Sequence, residues 1–115
     1  MWYQLEEITR SAKGEIRAKT HVPPTSPWFD GHFPEEPVLP GVAQIGMVHD
    51  VVARALGREL KLVSVSRIRF KRIVRPDDPL TIIVAPSKKD AAVFTFRISI
   101  RNEAVCSGVV HYAES

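Results

Sequence analysis

One histidine stands in a segment built to hold it still. Residues 28–50 read WFDGHFPEEPVLPGVAQIGMVHD, with His32 between Gly31 and Phe33 and prolines at 34, 37 and 40. The prolines restrict the backbone on the C-terminal side of the ring, and Gly31 removes side-chain bulk on the other. An apolar helix is expected to begin just after Pro40, where the first N–H groups have no helical partner and suit a carbonyl oxygen or an oxyanion. A fixed imidazole beside such donors has the parts needed to remove a proton α to a carbonyl. A hydrogen-bonded structural histidine satisfies the same residues, so spacing alone leaves both readings open.

The other candidate groups are scattered. His21 falls at a strand end, His111 near the C-terminus and His49 on the helix beside Asp50. Four histidines and the single Cys106 show no metal-ligand spacing, so no metal is expected. A glycine-rich phosphate loop is absent, and no cofactor is implied. Cys106, in VCSGVV, reads as a small buried hydrophobe, and one cysteine cannot form an intrachain disulfide.

The elements that must position His32 follow from periodicity. WYQLEEI (2–8) and EIRAKTHV (15–22) read as two antiparallel strands joined at SAKG, and PPTSP opens a proline-rich loop that runs to Pro40. GVAQIGMVHDVVARAL (41–56) reads as a helix, with Val42, Ile45, Val48, Val52 and Leu56 at helical spacing and Ala43 and Met47 widening the stripe. Pro40 fits its start, and Gly57 its end, with Arg54 in the last turn. Four strand patterns follow. LKLVSVSRIRFKRIV shifts its alternation midway, which predicts a bulge. LTIIVAP and AVFTFRISIRN come next, the latter with Phe94, Phe96, Ile98 and Ile100 inward and Thr95, Arg97, Ser99 and Arg101 outward. Asn102-Glu103 then turns the chain into AVCSGVVHY.

At 115 residues, 44% hydrophobic and 25% charged, the chain reads as one α+β domain spanning 1–115: a long helix wrapped by a curved antiparallel sheet. So small a sheet with long edge strands is expected to cover an edge by pairing with a second subunit, making a dimer or a higher even oligomer. No apolar run reaches membrane length, no signal peptide is evident, and the cytoplasm is the expected location. The net charge of +3 gives little general pull on nucleic acid. The basic residues nevertheless cluster in RIRFKRIVR, where Arg67, Arg69, Lys71 and Arg72 form either a solvated strand face or a docking surface for an acidic partner.

The stretch GHFPEEPVLPGV resembles the active-site motif of the 3-hydroxyacyl-acyl-carrier-protein dehydratases of bacterial fatty acid synthesis. IRFKRIVRPDDPL resembles that family's x-F-x-x-x-V-x-P-G-D-x-L strand, with Asp77 in place of the usual Gly. The resemblance implies the hot-dog fold and elimination of water from a 3-hydroxyacyl thioester to a trans-2-enoyl thioester. It implies His32 as the catalytic base and Gly41 as the backbone clamp on the thioester carbonyl, with Phe33, Val42 and Gly46 lining the substrate. It also implies acyl carrier protein as partner, docked on Arg67, Arg69, Lys71 and Arg72 and presenting its substrate on phosphopantetheine.

The chain departs from that pattern at Gly46, where the family carries a helix Glu or Asp. Asp50, one turn on, lies on the same helical face and is the candidate replacement, directly or through a water. An ion pair with Arg54 is the competing reading. VLPGVAQ is similar to the dehydratase-like proteins of aryl polyene gene clusters. Two further functions fit the residues: a non-catalytic acyl-thioester-binding subunit, and a hot-dog thioesterase using Asp50.

Overall fold

The apolar periodicity of residues 41–56 is realised as one helix, α1 (Gly41–Leu56), with the bounds the sequence predicts. The structure, a computed structural model, describes residues 2–29 and 37–113. Six strands accompany the helix: β1 (Gln4–Arg10), β2 (Ile16–His21), β3 (Lys61–Phe70), β4 (Leu80–Pro86), β5 (Val93–Ile100) and β6 (Glu103–Ala113). They form a single antiparallel sheet in the order β1-β2-β4-β5-β6-β3. A short 3-10 turn, Pro27–Phe29, interrupts the proline-rich loop.

Alternation along the strands decides which face meets the helix. Ile16, Ala18 and Thr20 of β2 are buried, as are Leu80, Ile82 and Val84 of β4 and Phe94, Phe96, Ile98 and Ile100 of β5. Strand register then carries one row of side chains across the sheet: Ile8 opposite Ala18, Ala18 opposite Ile82, Ile82 opposite Ile98, and Ile98 opposite Cys106. Phe70 of β3 continues the row beyond Cys106. Cys106 is fully buried, and burial pushes its thiol up to about 11, the inert setting expected of it.

Three local departures have physical causes. The buried face of α1 is Ala43, Gln44, Met47, Val48, Val51 and Val52. Val42, placed on the apolar stripe by the sequence, is 68% exposed, because the sheet covers the helix from the side of Ala43 and Met47. Ser99, expected outward, is buried where the β5–β6 register shifts between Ile98 and Ser99. The β5–β6 turn is centred one residue earlier than expected, on Arg101 (φ 48°) and Asn102 (φ 69°), both left-handed, as a tight hairpin requires.

The predicted irregularity of the long strand is present twice. The β3–β6 register shifts between Leu62 and Ser64 and again between Ser66 and Arg69, with Arg67 at φ 53°. The half-buried positions Leu62, Val65 and Ile68 therefore recur every third residue instead of every second. β3 lies at one edge of the sheet and β1 at the other.

The helix ends by a glycine mechanism. Gly57 takes φ 67°, its N–H reaches the Arg54 carbonyl at 3.3 Å, and the Arg58 N–H reaches the Ala53 carbonyl at 3.3 Å. These two hydrogen bonds satisfy two terminal carbonyls. Gly57→Ala is expected to lower the unfolding free energy by about 1–2 kcal/mol, the cost of a side chain in left-handed backbone. Met47→Ala, at a fully buried site, should cost about 2–5 kcal/mol. Urea titration of the two variants checks both values.

Candidate active site at the helix start

Pro40 is the N-cap of α1, with φ −62° and ψ 152° and no side-chain cap. The Ala43 and Gln44 N–H groups return to the Pro40 carbonyl at 3.1 and 3.2 Å. The N–H groups of Gly41 and Val42 have no hydrogen-bond partner among the described residues. They are the orphan donors at the positive end of the helix dipole, suited to an oxygen carrying developing negative charge.

Three contacts fix where those donors sit. The Leu39 N–H donates to the Val74 carbonyl at 2.8 Å, tying the entry to the helix to the chain just beyond β3. The buried Gln44 side chain donates from Nε2 to the Leu39 carbonyl at 3.2 Å. The Phe70 ring lies directly over Gly41: a Cβ built there would come within 2.8 Å of the ring's Cε1. Glycine at 41 is thus a steric demand of Phe70. Phe70 and Val74 occupy the fixed F and V of the IRFKRIVRPDDPL strand motif, the one signal in the sequence for their part in this corner. Gln44 braces the corner, and its Oε1 is buried with no hydrogen-bond partner among the described residues.

Asp77, which replaces the usual glycine of that motif, has φ 62°. The motif's glycine position is a left-handed one, and Asp is among the few other residues that tolerate it. The Asp77 N–H donates to the Val22 carbonyl at 2.8 Å, and Asp78 Oδ2 accepts from the Arg75 N–H at 2.8 Å, so the turn still closes.

Both carboxylate oxygens of Asp50 are engaged. Its Oδ2 accepts from the Tyr3 hydroxyl and its Oδ1 from Arg54 Nε at 3.2 Å, so the ion pair weighed in the sequence is present. Tyr3 is buried, and desolvation, reinforced by the neighbouring Asp50, pushes its phenol far above the ordinary value. Trp2 packs edge-on against Tyr3 (centroids 4.7 Å) and against Trp28 (5.8 Å). The N-terminal residues therefore hold the helix carboxylate, a role the sequence reading did not give them. Gly46, one turn before Asp50, is exposed, and among the described residues nothing beyond the helix's own backbone lies within 4 Å of a Cβ built on it. No described side chain fills the position above it, between Val42 and Asp50 on one helical stripe.

His32 and Phe33 lie outside the described residues. The basic cluster is split: Arg67, Arg69 and Lys71 are exposed on or just after the edge strand β3, while Arg72 Nη1 donates to Glu103 Oε2.

Two expectations follow. Tyr3→Phe keeps the ring but leaves Asp50 Oδ2 without its donor, and chemical denaturation should show a loss of about 1.5–3 kcal/mol, the range for a hydrogen bond to a charged group. Gly41→Ala should destabilise the protein far less when combined with Phe70→Ala than alone, a non-additive cycle that measures the ring–glycine contact.

Comparisons with known proteins agree with this geometry. The family model described as ApeI dehydratase, of the ApeI-like family, matches residues 8–109. The chain is 30% identical to the 3-hydroxyacyl-[acyl-carrier-protein] dehydratase FabZ of Shewanella woodyi, covering 92% of this chain and 78% of that one. It is 38% identical to FabZ of Syntrophomonas wolfei, over 76% of this chain and 67% of that one. Among solved structures, the dehydratase heterocomplex ApeI:P from Xenorhabdus doucetiae superposes with a TM-score of 0.87 at 26% identity, covering 99% of this chain and 100% of that one. A pyran synthase domain of the sorangicin pathway, at 16% identity and a TM-score of 0.70 over 96% of this chain and 39% of that one, shares the fold. The helix cradled by an antiparallel sheet is the hot-dog fold, and the chain belongs to the ApeI-like family of hot-dog dehydratases.

Proposed function

We propose that this protein eliminates water from a 3-hydroxyacyl thioester carried on the phosphopantetheine arm of an acyl carrier protein, giving the trans-2-enoyl thioester. The observation that carries this reading is the pair of N–H groups at the start of α1 with no partner among the described residues, with Gly41 held bare under Phe70. His32 takes the proton from the carbon next to the thioester, whose carbonyl oxygen is held by the Gly41 N–H. The electron pair of the broken C–H bond forms the new double bond. The C–O bond to the 3-hydroxyl breaks, and that oxygen leaves as water, taking up the proton that His32 removed. Asp50 assists that departure through a water held in the space above Gly46, with Tyr3 and Arg54 fixing its carboxylate. Val42, beside that space and exposed, lines the substrate together with Phe33.

The partners follow from charge and edges. Arg67, Arg69 and Lys71 present unburied cations to an acidic carrier protein, with Arg72 contributing through its pair with Glu103. The exposed Val63 and Phe70 on edge strand β3, and Val42 on the uncovered helix face, suit a second subunit, so a homodimer is the proposed assembly. The VLPGVAQ segment and the family match support a substrate of the aryl polyene kind.

A second reading rests on Gly46 and on the double engagement of Asp50. In it the chain binds acyl thioesters without turning them over and joins an active relative; the similar ApeI:P structure is a dehydratase heterocomplex.

The test is hydration of a short trans-2-enoyl thioester on acyl carrier protein, followed by loss of the conjugated enoyl absorbance. Native protein should turn over, His32→Ala should lose at least about a hundredfold as expected of a general base, and Asp50→Asn should also lose activity while remaining folded. Full activity of Asp50→Asn would remove Asp50 from the mechanism. Inactivity of the native protein alone, with activity restored on mixing with a relative, would select the second reading.

A further inference from the structure

The far end of α1 carries a concavity that the dehydratase reading does not use. It comprises two adjoining hollows of about 210 and about 370 Å³ that share Leu56, Arg58, Ala91 and Phe94. It lies beyond the C-terminus of the helix, about 22 Å along the helix axis from Gly41 at 1.5 Å per residue. Leu56 and Phe94, with Leu60 and Tyr112, give it an apolar floor.

Four cations converge on it from three separate parts of the chain: Arg10 at the end of β1, Arg58 after the helix, and Lys88 and Lys89 in the β4–β5 turn. None of the four is paired with a carboxylate among the described residues. The single acid in the lining, Asp90, is engaged, its Oδ1 accepting the Ala92 N–H at 2.9 Å. A concave site with an apolar floor and a few converging charged groups has the make-up of a small-molecule pocket. Four exposed cations against one carboxylate leave the lining net positive, and two guanidinium forks suit phosphate oxygens.

We infer that this groove is a second ligand site, taking a phosphate-bearing compound with a short apolar body: the phosphate among Arg10, Arg58, Lys88 and Lys89, the apolar part on Leu56 and Phe94. The inference does not rest on the dehydratase reading.

Hexyl phosphate is the probe, titrated into the full chain and followed by amide chemical shifts. Binding should be saturable in the millimolar range or tighter, with shifts centred on residues 56–60 and 87–94. Inorganic phosphate should bind at least about tenfold more weakly, a difference of about 1.4 kcal/mol assignable to the apolar floor. Lys88→Glu/Lys89→Glu and the groove-filling Ala91→Trp, both at exposed positions, should each weaken hexyl phosphate by about tenfold or more. Equal affinity for inorganic phosphate, or indifference to Ala91→Trp, would reduce the site to surface charge and overturn the proposal. So would shifts centred elsewhere, or none at millimolar probe.

Discussion

The junction of helix start and edge strand is the constraint on which the rest depends. An N–H from Leu39 to the Val74 carbonyl, an amide from Gln44 to the Leu39 carbonyl and an aromatic ring from Phe70 over Gly41 meet within a few residues. Each comes from a different kind of interaction, and together they place two orphan N–H groups at a defined point. A proline as N-cap leaves those donors unused, since it offers no side-chain oxygen to satisfy them. The sheet contributes by register: the row Ile8–Ala18–Ile82–Ile98–Cys106 delivers Phe70 to the position above Gly41. A slip of one residue in β3 would put that ring on the other face.

The helix carboxylate is governed from the opposite side of the molecule. Tyr3 and Arg54 each occupy one oxygen of Asp50, and Trp2 packs between Tyr3 and Trp28. An aspartate with a hydrogen bond to each oxygen is held in one orientation. Gly46 then has a physical reading beyond its helix-weakening propensity of about 1 kcal/mol relative to Ala: it keeps the space between Val42 and Asp50 clear. The two ends of α1 thus differ in chemistry, bare N–H donors at the start and a basic, apolar-floored groove past the end.

The uneven coverage of the helix unites these features. One side of α1 is sealed by Met47, Val48, Val51 and Val52 against the sheet, while Val42 and Gly46 face outward. Edge strand β3 is twice bulged and exposes Val63 and Phe70. Bulges on an edge strand twist it and limit indiscriminate pairing, so this edge is shaped for a particular neighbour.

By itself the sequence determined the elements and the family. The 3.6-residue periodicity of 41–56, ended by Gly57, set the helix to the residue, because that glycine's left-handed φ is a local requirement. The period-2 runs set the strands, and the shifted alternation of 60–74 announced the bulges of β3. The motif around Pro40 located the helix-start donors, since a proline there offers them no side-chain oxygen. Only the tertiary structure decided what meets what. That the helix buries Ala43 and Met47 but leaves Val42 outside depends on which side the sheet approaches. That Asp50 pairs with Tyr3, 47 residues away in sequence, and that Phe70 forbids a side chain at Gly41, depend on register and on the closing of long loops. Local pattern is blind to both, because such contacts are made between segments whose separation along the chain carries no signal of their proximity in space.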